Sequence, residues 1–239
     1  MLEPVKIAFG QFVGEFYRTL LPTTKPLQEY VTRGLDKSIF IAPSRMIDAV
    51  EEMLASYQRN DTHQAATQPF KMPVIIIAVA KDYMPTGRDY AKQIAEPISV
   101  IIPSDDKERH FGFRTINADI RAQLAIFAMD EPTAKSLASQ WQLYLDRADS
   151  RRFLAHYAFA GQDIIQWVQI EDTGIMASNA QTESKNLTIL ACDVTLKSQI
   201  PLFDAPKAGD ENNDGKGIPG TDDPAGYLLV NHVDITKQP

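Results

Sequence analysis

The chain has 239 residues, of which 44% are hydrophobic and 23% charged, and its formal net charge is −7 at pH 7. Such a composition excludes a chain that is disordered throughout, and the length is sufficient to bury a sizeable core. The negative charge also argues against tight, non-specific binding of duplex DNA, because the molecule as a whole repels phosphate.

An amphipathic helix is predicted near the start of the chain, over residues 5–20, with Pro4 suited to its first turn. Its apolar face consists of Val5, Ala8, Phe9, Phe12, Val13, Phe16, Tyr17 and Leu20. Pro22 and Pro26 then predict a linker, so residues 1–24 are expected to form an arm ahead of the core. Two alternatives stay open for its aromatic face, which docks either on its own domain or on a neighbouring subunit.

A core domain is predicted over residues 25–203, and it has α+β character. Its elements are a helix over 45–58 capped by Ser44, strands over 74–80, 98–103 and 111–129, a helix from Asp130, a short segment over 153–159, and strands over 164–170 and 186–200. The strand over 111–129 is about three times the usual length, so we expect a long, projecting hairpin. This order predicts a mixed, mostly antiparallel sheet with helices packed on one side and extended terminal segments.

The composition changes in the last part of the chain, residues 204–239. Between 204 and 223, six acidic residues and four glycines accompany two lysines, which predicts a flexible acidic loop. Residues 227–235 alternate weakly as a last strand, which pairs either within its own subunit or with a neighbour.

Two motifs for small ligands occur in this acidic loop, and neither has the context that its chemistry needs. The dinucleotide-like string 215–220 lacks a strand before it and a helix after it, so we interpret it as a turn. Asp210, Asn212, Asp214 and Gly215 match the first half of a calcium loop, but Thr221 occupies the twelfth position and cannot supply a bidentate carboxylate. We therefore expect no cofactor and at most a weak ion site.

Catalysis is not predicted, because no nucleophile, base or metal-ligand spacing forms a recognisable motif. The four histidines are His63, His110, His156 and His232, and the only cysteine is Cys192. Cys192 lies on the apolar face of a predicted strand, which indicates an inert core position. The single cysteine also excludes an internal disulfide, and no apolar run reaches about 18 residues, so we expect a cytoplasmic, non-membrane protein.

Two segments are predicted to contact neighbouring subunits. One is the aromatic helix face, Phe9, Phe12, Phe16 and Tyr17, and the other is the hairpin tip with Lys107, Arg109, Phe111, Phe113 and Arg114. Alternating basic and aromatic side chains also suit single-stranded nucleic acid, but acidic residues at 105, 106 and 108 cancel much of that charge. A subunit contact or a solvated tip is therefore favoured over a nucleic-acid site.

The order of these elements resembles that of the tail terminator and related neck proteins of contractile-tailed bacteriophages. The similarity spans roughly residues 40–205, and its specific segments are the apolar strand over 72–80, the long hairpin and the helix opening over 130–138. It rests on element order and this helix opening, and no single invariant motif carries it.

The resemblance implies a structural protein that forms a ring, commonly a hexamer, in the virion neck. Such a ring caps the tail tube and sheath, joins them to the head connector, and lets DNA pass without specific binding. It implies assembly in the host cytoplasm and a final place in the virion. The aromatic arm and the acidic extension depart from smaller members, so another neck, collar or head-tail connector subunit is the alternative. A small-molecule enzyme or a calcium- or nucleic-acid-binding module is less favoured.

Overall fold

The computed structural model describes residues 2–61, 71–86, 97–103, 110–147, 151–159, 162–172, 177–180 and 186–204. The helices in these ranges are α1 (Glu3–Arg18), α2 (Lys25–Thr32), α3 (Val50–Asp61) and α4 (Glu131–Asp146). The strands are β1 (Ile39–Ile41), β2 (Val74–Val79), β3 (Met84–Pro85), β4 (Ile98–Ile101), β5 (His110–Ala128), β6 (Arg152–Phe159), β7 (Gln162–Ile170), β8 (Ala177–Asn179) and β9 (Thr188–Asp204).

The described strands belong to one mixed sheet. Its main path runs β1-β2-β5-β9-β7-β6, with β3 and β4 paired to β5 and β8 paired to β9. Strands β1 and β2 are parallel, with Ile39 opposite Ile75, whereas β2 and β5 are antiparallel, with Val74 opposite Phe127. The α+β class and the mixed, mostly antiparallel sheet are therefore confirmed.

The chain divides into two compact units. Unit 1 comprises Met1–Arg88, Asn117–His156 and Ile165–Ile200, and unit 2 comprises Asp89–Ile116, Tyr157–Ile164 and Pro201–Pro239. Helix α1 belongs to unit 1, and it lies within residues 1–24, which the sequence predicted as an arm ahead of the core. The acidic loop and the strand expected within residues 204–239 lie outside the described residues, apart from Asp204.

In unit 1, helices cover both faces of strand β2. Helix α1 approaches one face so closely that a Cβ added at Gly10 would lie 3.1 Å from Cδ1 of Ile41 and 3.9 Å from Cδ1 of Ile77. From the other side, Met53 of α3 joins the apolar cluster that contains Ile76. Neighbouring residues of a strand point to opposite faces, which explains why all six residues of β2 are buried. Helix α3 thus lies across the sheet from α1, whereas the sequence predicted helices on one side.

The first part of the core differs from the prediction in its local structure. Ser44 does not cap an α-helix, because Ser44–Met46 form one 3-10 turn and α3 begins only at Val50. Helix α2 was not predicted, yet its start is well specified, since the Thr24 hydroxyl accepts a hydrogen bond from Leu27 N at 3.3 Å. The short strand β1 was also missed, and its conformation depends on pairing with β2.

The long hairpin and the helix that follows it are close to their predicted positions. Strand β5 has 19 residues and pairs antiparallel with β4, with Ile98 opposite Phe113 and Ile101 opposite His110. Residues 104–109, which join the two strands, lie outside the described part of the chain. Helix α4 begins as expected, because the Asp130 carboxylate accepts a hydrogen bond from Thr133 N at 2.8 Å.

Candidate functional site

The aromatic face of α1, one of the two predicted subunit contacts, packs inside unit 1. Phe9, Phe12 and Phe16 are buried, and their rings contact aromatic side chains later in the chain. Phe12 stacks on Phe153 with 4.7 Å between ring centroids, and Phe16 meets Trp141 edge-on at 5.0 Å. Docking on its own domain, one of the two open alternatives, is what this structure describes. A neighbouring subunit could reach these side chains only by exchange of the helix, so that contact stays a prediction.

The fourth predicted residue of this face, Tyr17, is part of a buried polar group. Its hydroxyl lies 2.8 Å from the carbonyl oxygen of Tyr30 and 2.9 Å from that of Val31, both near the end of α2. The Tyr30 hydroxyl in turn donates to the carbonyl of Ser38 at 3.1 Å, immediately before β1. These bonds satisfy backbone groups where α2 ends, so the role of Tyr17 in this structure is to hold α1, α2 and β1 together.

The hairpin contact is described only in part. Lys107 and Arg109 lie outside the described residues. Phe111, Phe113 and Arg114 are half-buried residues of β5 in unit 2. The Phe113 ring lies 5.1 Å from that of Phe203, and Arg114 Nε lies 3.8 Å from Asp204 Oδ2, both within unit 2. Their contact with a neighbouring subunit stays a prediction.

The candidate nucleophile of the sequence is Cys192, and the candidate bases are the histidines. Cys192 is buried on β9, as predicted, and burial, with a smaller effect of the Asp193 charge, raises its pKa to about 12. At neutral pH it is therefore a protonated core thiol. His110 Nδ1 lies 2.7 Å from Ser99 Oγ, which pairs the two strands of the hairpin. His63, His232 and both ligand motifs of the acidic loop lie outside the described residues.

Two further observations concern metals and membranes. Among the described residues, no group of three or more histidine, cysteine, aspartate or glutamate side chains is arranged to hold a metal ion. In the same part of the chain, no helix has the length and apolar character needed to cross a membrane.

A polar cluster on the sheet joins β5, β9 and the turn before α3. Arg121 Nη1 donates to Asp48 Oδ2 at 2.7 Å, and Arg121 Nη2 bonds the other Asp48 oxygen and lies 3.4 Å from Asp193 Oδ1. Gln123 Nε2 donates to the same Asp193 oxygen at 3.1 Å. The hydrogen bond that Arg121 donates to the Asp48 carboxylate is the main reason that the pKa of Arg121 is raised. Asp48 has a φ of 71°, so the cluster holds a turn in the left-handed region.

An exposed apolar surface occurs at the β6 end of the sheet. Strand β6 ends the main path, and the side chains of Leu154, Ile165 and Trp167 are 36%, 50% and 53% exposed. The Arg152 guanidinium lies over the Trp167 ring, 5.6 Å from its centroid, and Arg152 Nε donates to Gln169 Oε1 at 3.3 Å. We call Arg152, Leu154, Ile165 and Trp167 the β6–β7 face. It belongs wholly to unit 1.

Sequence reasoning missed the β6–β7 face. The signal was present in β7, where Val168 and Ile170 are buried while Ile165 and Trp167, on the alternate positions, are exposed. Both sides of this strand carry large apolar residues, and that pattern alone predicts a strand buried on both faces. Whether one of those sides is covered depends on the elements that pack on it, and the pattern of the strand itself does not show them.

A pocket of about 580 Å³ lies in unit 1, beyond the carboxyl ends of the parallel strands β1 and β2. Residues from three separate segments line it, among them Glu3, Lys6, Ser44, Ala80, Lys81 and Tyr83. Lys6 Nζ lies 3.4 Å from Glu3 Oε1, and the Lys6 side chain is only 26% exposed. Nothing in the sequence analysis pointed to this pocket, because its residues are distant in the chain.

Comparison with models of known protein families gives no match. Comparison with curated protein sequences gives no match either.

Proposed function

We propose that this chain is a structural subunit that assembles with copies of itself into a ring. The observation that carries the proposal is the β6–β7 face, with Leu154, Ile165 and Trp167 exposed at one end of the sheet. Large apolar side chains exposed near one another are costly in water and are typical of protein contacts. Tryptophan and arginine are also the residues most enriched among those that dominate binding energy.

The proposed occupant of this face is a second copy of the chain. In the described sheet the main path is open, with β6 at one end and β1 at the other. An apolar residue, Ile41, is also 41% exposed on β1. Strand edges pair readily with other strands, and contact between two different surfaces of successive copies closes into a ring when the rotation allows it. The β6 end of one copy is therefore proposed to meet the β1 end of the next.

The location proposed for this ring is the neck of a contractile-tailed bacteriophage. There it would act as a tail terminator and join the tail tube and sheath to the head connector. Support comes from the order of β2, the β4–β5 hairpin and the capped helix α4, the elements on which the resemblance rests. A net charge of −7 per subunit suits a channel through which DNA passes without being bound, because acidic walls repel phosphate. Another neck or connector subunit would use the same assembly surface.

Light scattering after size-exclusion chromatography, with negative-stain microscopy, tests the proposal. The native chain is expected to form closed rings, and a variant with Ile165→Ser and Trp167→Ser is expected to be monomeric. Loss of a central aromatic contact costs about 2 kcal/mol or more at each interface. Leu143→Ser is the matched control, since Leu143 is 64% exposed on α4, outside this face. A native chain that stays monomeric, or a two-fold dimer without a channel, contradicts the proposal, as does a basic lumen.

A further inference from the structure

The pocket beyond β1 and β2 has a position that favours ligand binding. These two strands are the parallel pair of the described sheet, so their carboxyl ends meet at the same edge. Ser44 follows β1 and Lys81 follows β2, and both line the pocket. In sheets with adjacent parallel strands, small ligands bind beyond the carboxyl ends, where loops supply the polar groups. A volume of about 580 Å³ is in the range of small-molecule sites.

The charged groups of the pocket are two lysines and one glutamate. Lys6 comes from the first turn of α1 and Lys81 from the segment that follows β2, so two cationic residues line the pocket from different parts of the chain. Glu3 Oε1 lies 3.4 Å from Lys6 Nζ, and the Glu3 side chain is 66% exposed. The lining residues thus include two cations and one carboxylate, which leaves a positive balance in a chain whose net charge is −7. An incoming anion could take the place of Glu3 on Lys6 without leaving a buried charge unpaired.

Neutral groups add hydrogen-bonding capacity to the same pocket. Ser44 and Tyr83 each bring a hydroxyl that can donate to an anionic oxygen. The start of α1 also borders the pocket, and its N-cap residue Leu2 provides no side-chain hydrogen bond to the first turn. The positive end of that helix therefore adds to the field of the two lysines.

From this arrangement we propose that the pocket binds a phosphorylated small molecule, with its phosphate held between Lys6 and Lys81. The two ammonium groups and two hydroxyls supply several donors to the three or more oxygens of one phosphate, and Glu3 is the internal competitor for the same position. The site shares no residue with the β6–β7 face, and it lies next to β1, the other surface of the proposed ring contact.

Isothermal titration calorimetry with inorganic pyrophosphate at constant ionic strength tests the site. Pyrophosphate is expected to bind at one saturable site per chain. Lys81→Met is expected to weaken binding about tenfold, as for loss of one charge-assisted hydrogen bond. Glu3→Gln is expected to strengthen binding several-fold, because it removes the competing carboxylate. The control is Lys135→Met, since Lys135 lies on α4 and pairs with Glu131, outside the pocket.

Citrate, a tricarboxylate, and adenosine monophosphate serve as comparison probes at the same ionic strength. Binding of both phosphorylated probes with weaker binding of citrate supports a phosphate site. Equal binding of citrate and pyrophosphate overturns the assignment to phosphate. No saturable binding of pyrophosphate, an unchanged affinity for Lys81→Met, or a weaker affinity for Glu3→Gln overturns the site itself.

Discussion

Arg121 Nη1 lies 2.7 Å from Oδ2 of Asp48, and this contact joins the middle of β5 to a turn whose φ is 71°. A residue other than glycine in that region costs about 1–2 kcal/mol. The ion pair with Arg121, and the bond from Asp48 N to Gln123 Oε1 at 3.1 Å, keep the turn in place. The cluster therefore holds the turn that immediately precedes α3.

Comparison of Asp48→Gly with Asp48→Ala separates the backbone cost from the ion pair. Both variants lose the contact with Arg121, but glycine adopts a positive φ without strain. We expect Asp48→Ala to have a free energy of unfolding about 1 kcal/mol lower than that of Asp48→Gly. Urea denaturation followed by circular dichroism measures the difference. Equal stability of the two variants would show that the turn is not strained.

Phe12→Ala is expected to lower the free energy of unfolding by about 3–5 kcal/mol, because Phe12 stacks on Phe153 and meets Trp141 edge-on. The matched control is Ile7→Ala on the same helix, where the side chain is 52% exposed and the expected loss is below about 1 kcal/mol. The measurement is again the urea midpoint and slope. Similar losses for the two variants would contradict the packing of α1 described above.

Removal of residues 1–24 tests the same helix at larger scale. Without α1, Trp141 and Phe153 lose the rings that cover them, so we expect the shortened chain to unfold at lower temperature or to aggregate. This differs from the expectation for an independent arm, whose removal leaves the core intact. If the shortened chain has the same thermal midpoint as the native protein, residues 1–24 form an independent arm.

Asp130→Ala is expected to cost about 1 kcal/mol, since it removes the side-chain bond to Thr133 N at the start of α4. Asp130→Asn retains an acceptor oxygen at the same position and is expected to stay within a few tenths of a kcal/mol of the native chain. Thermal unfolding of the native chain and the two variants at one pH measures these differences in stability. An equal loss for both variants would indicate that the charge of Asp130 matters and its cap does not.

Cys192 is expected to react with a thiol reagent only when the chain unfolds. Burial raises the pKa of its thiol from 9.0 to about 12, so the native state holds the proton more tightly than the unfolded state. The resulting stabilisation is complete below about pH 9 and declines as the pH rises towards 12. Labelling in native buffer at pH 8 and in urea provides the comparison, and Cys192→Ala is the blank. Rapid labelling of the native chain would contradict a buried thiol.

Local patterns were sufficient to predict several elements. Each of three elements is indicated by residues within its own segment. These are the continuous β-branched run of β2, the long alternation of apolar and polar residues in β5, and the acidic, proline-containing start of α4. Helix α2 was missed because Pro22 and Pro26 were interpreted as breakers, although Thr24 is a good N-cap and Pro26 suits a first turn.

Other features depend on residues that are distant in the chain. Strand β1 has three residues and follows from its pairing with Ile75–Ile77. The turn before α3 is held by the contact of Asp48 with Arg121. The exposure of Trp167 depends on which face of β7 other elements cover. The pocket likewise requires the parallel pairing of β1 and β2, which no local periodicity predicts.

The packing of the first helix against later aromatic residues has a consequence during synthesis. Phe12 leaves the ribosome long before Phe153, to which it is stacked in the folded chain. At about 5–20 residues per second, the interval is roughly 7–30 s, during which the aromatic face of α1 has none of its later partners. Contacts of such long range also slow folding. We therefore expect the aromatic face of α1 to lack this intramolecular packing until α4 and β6 have emerged.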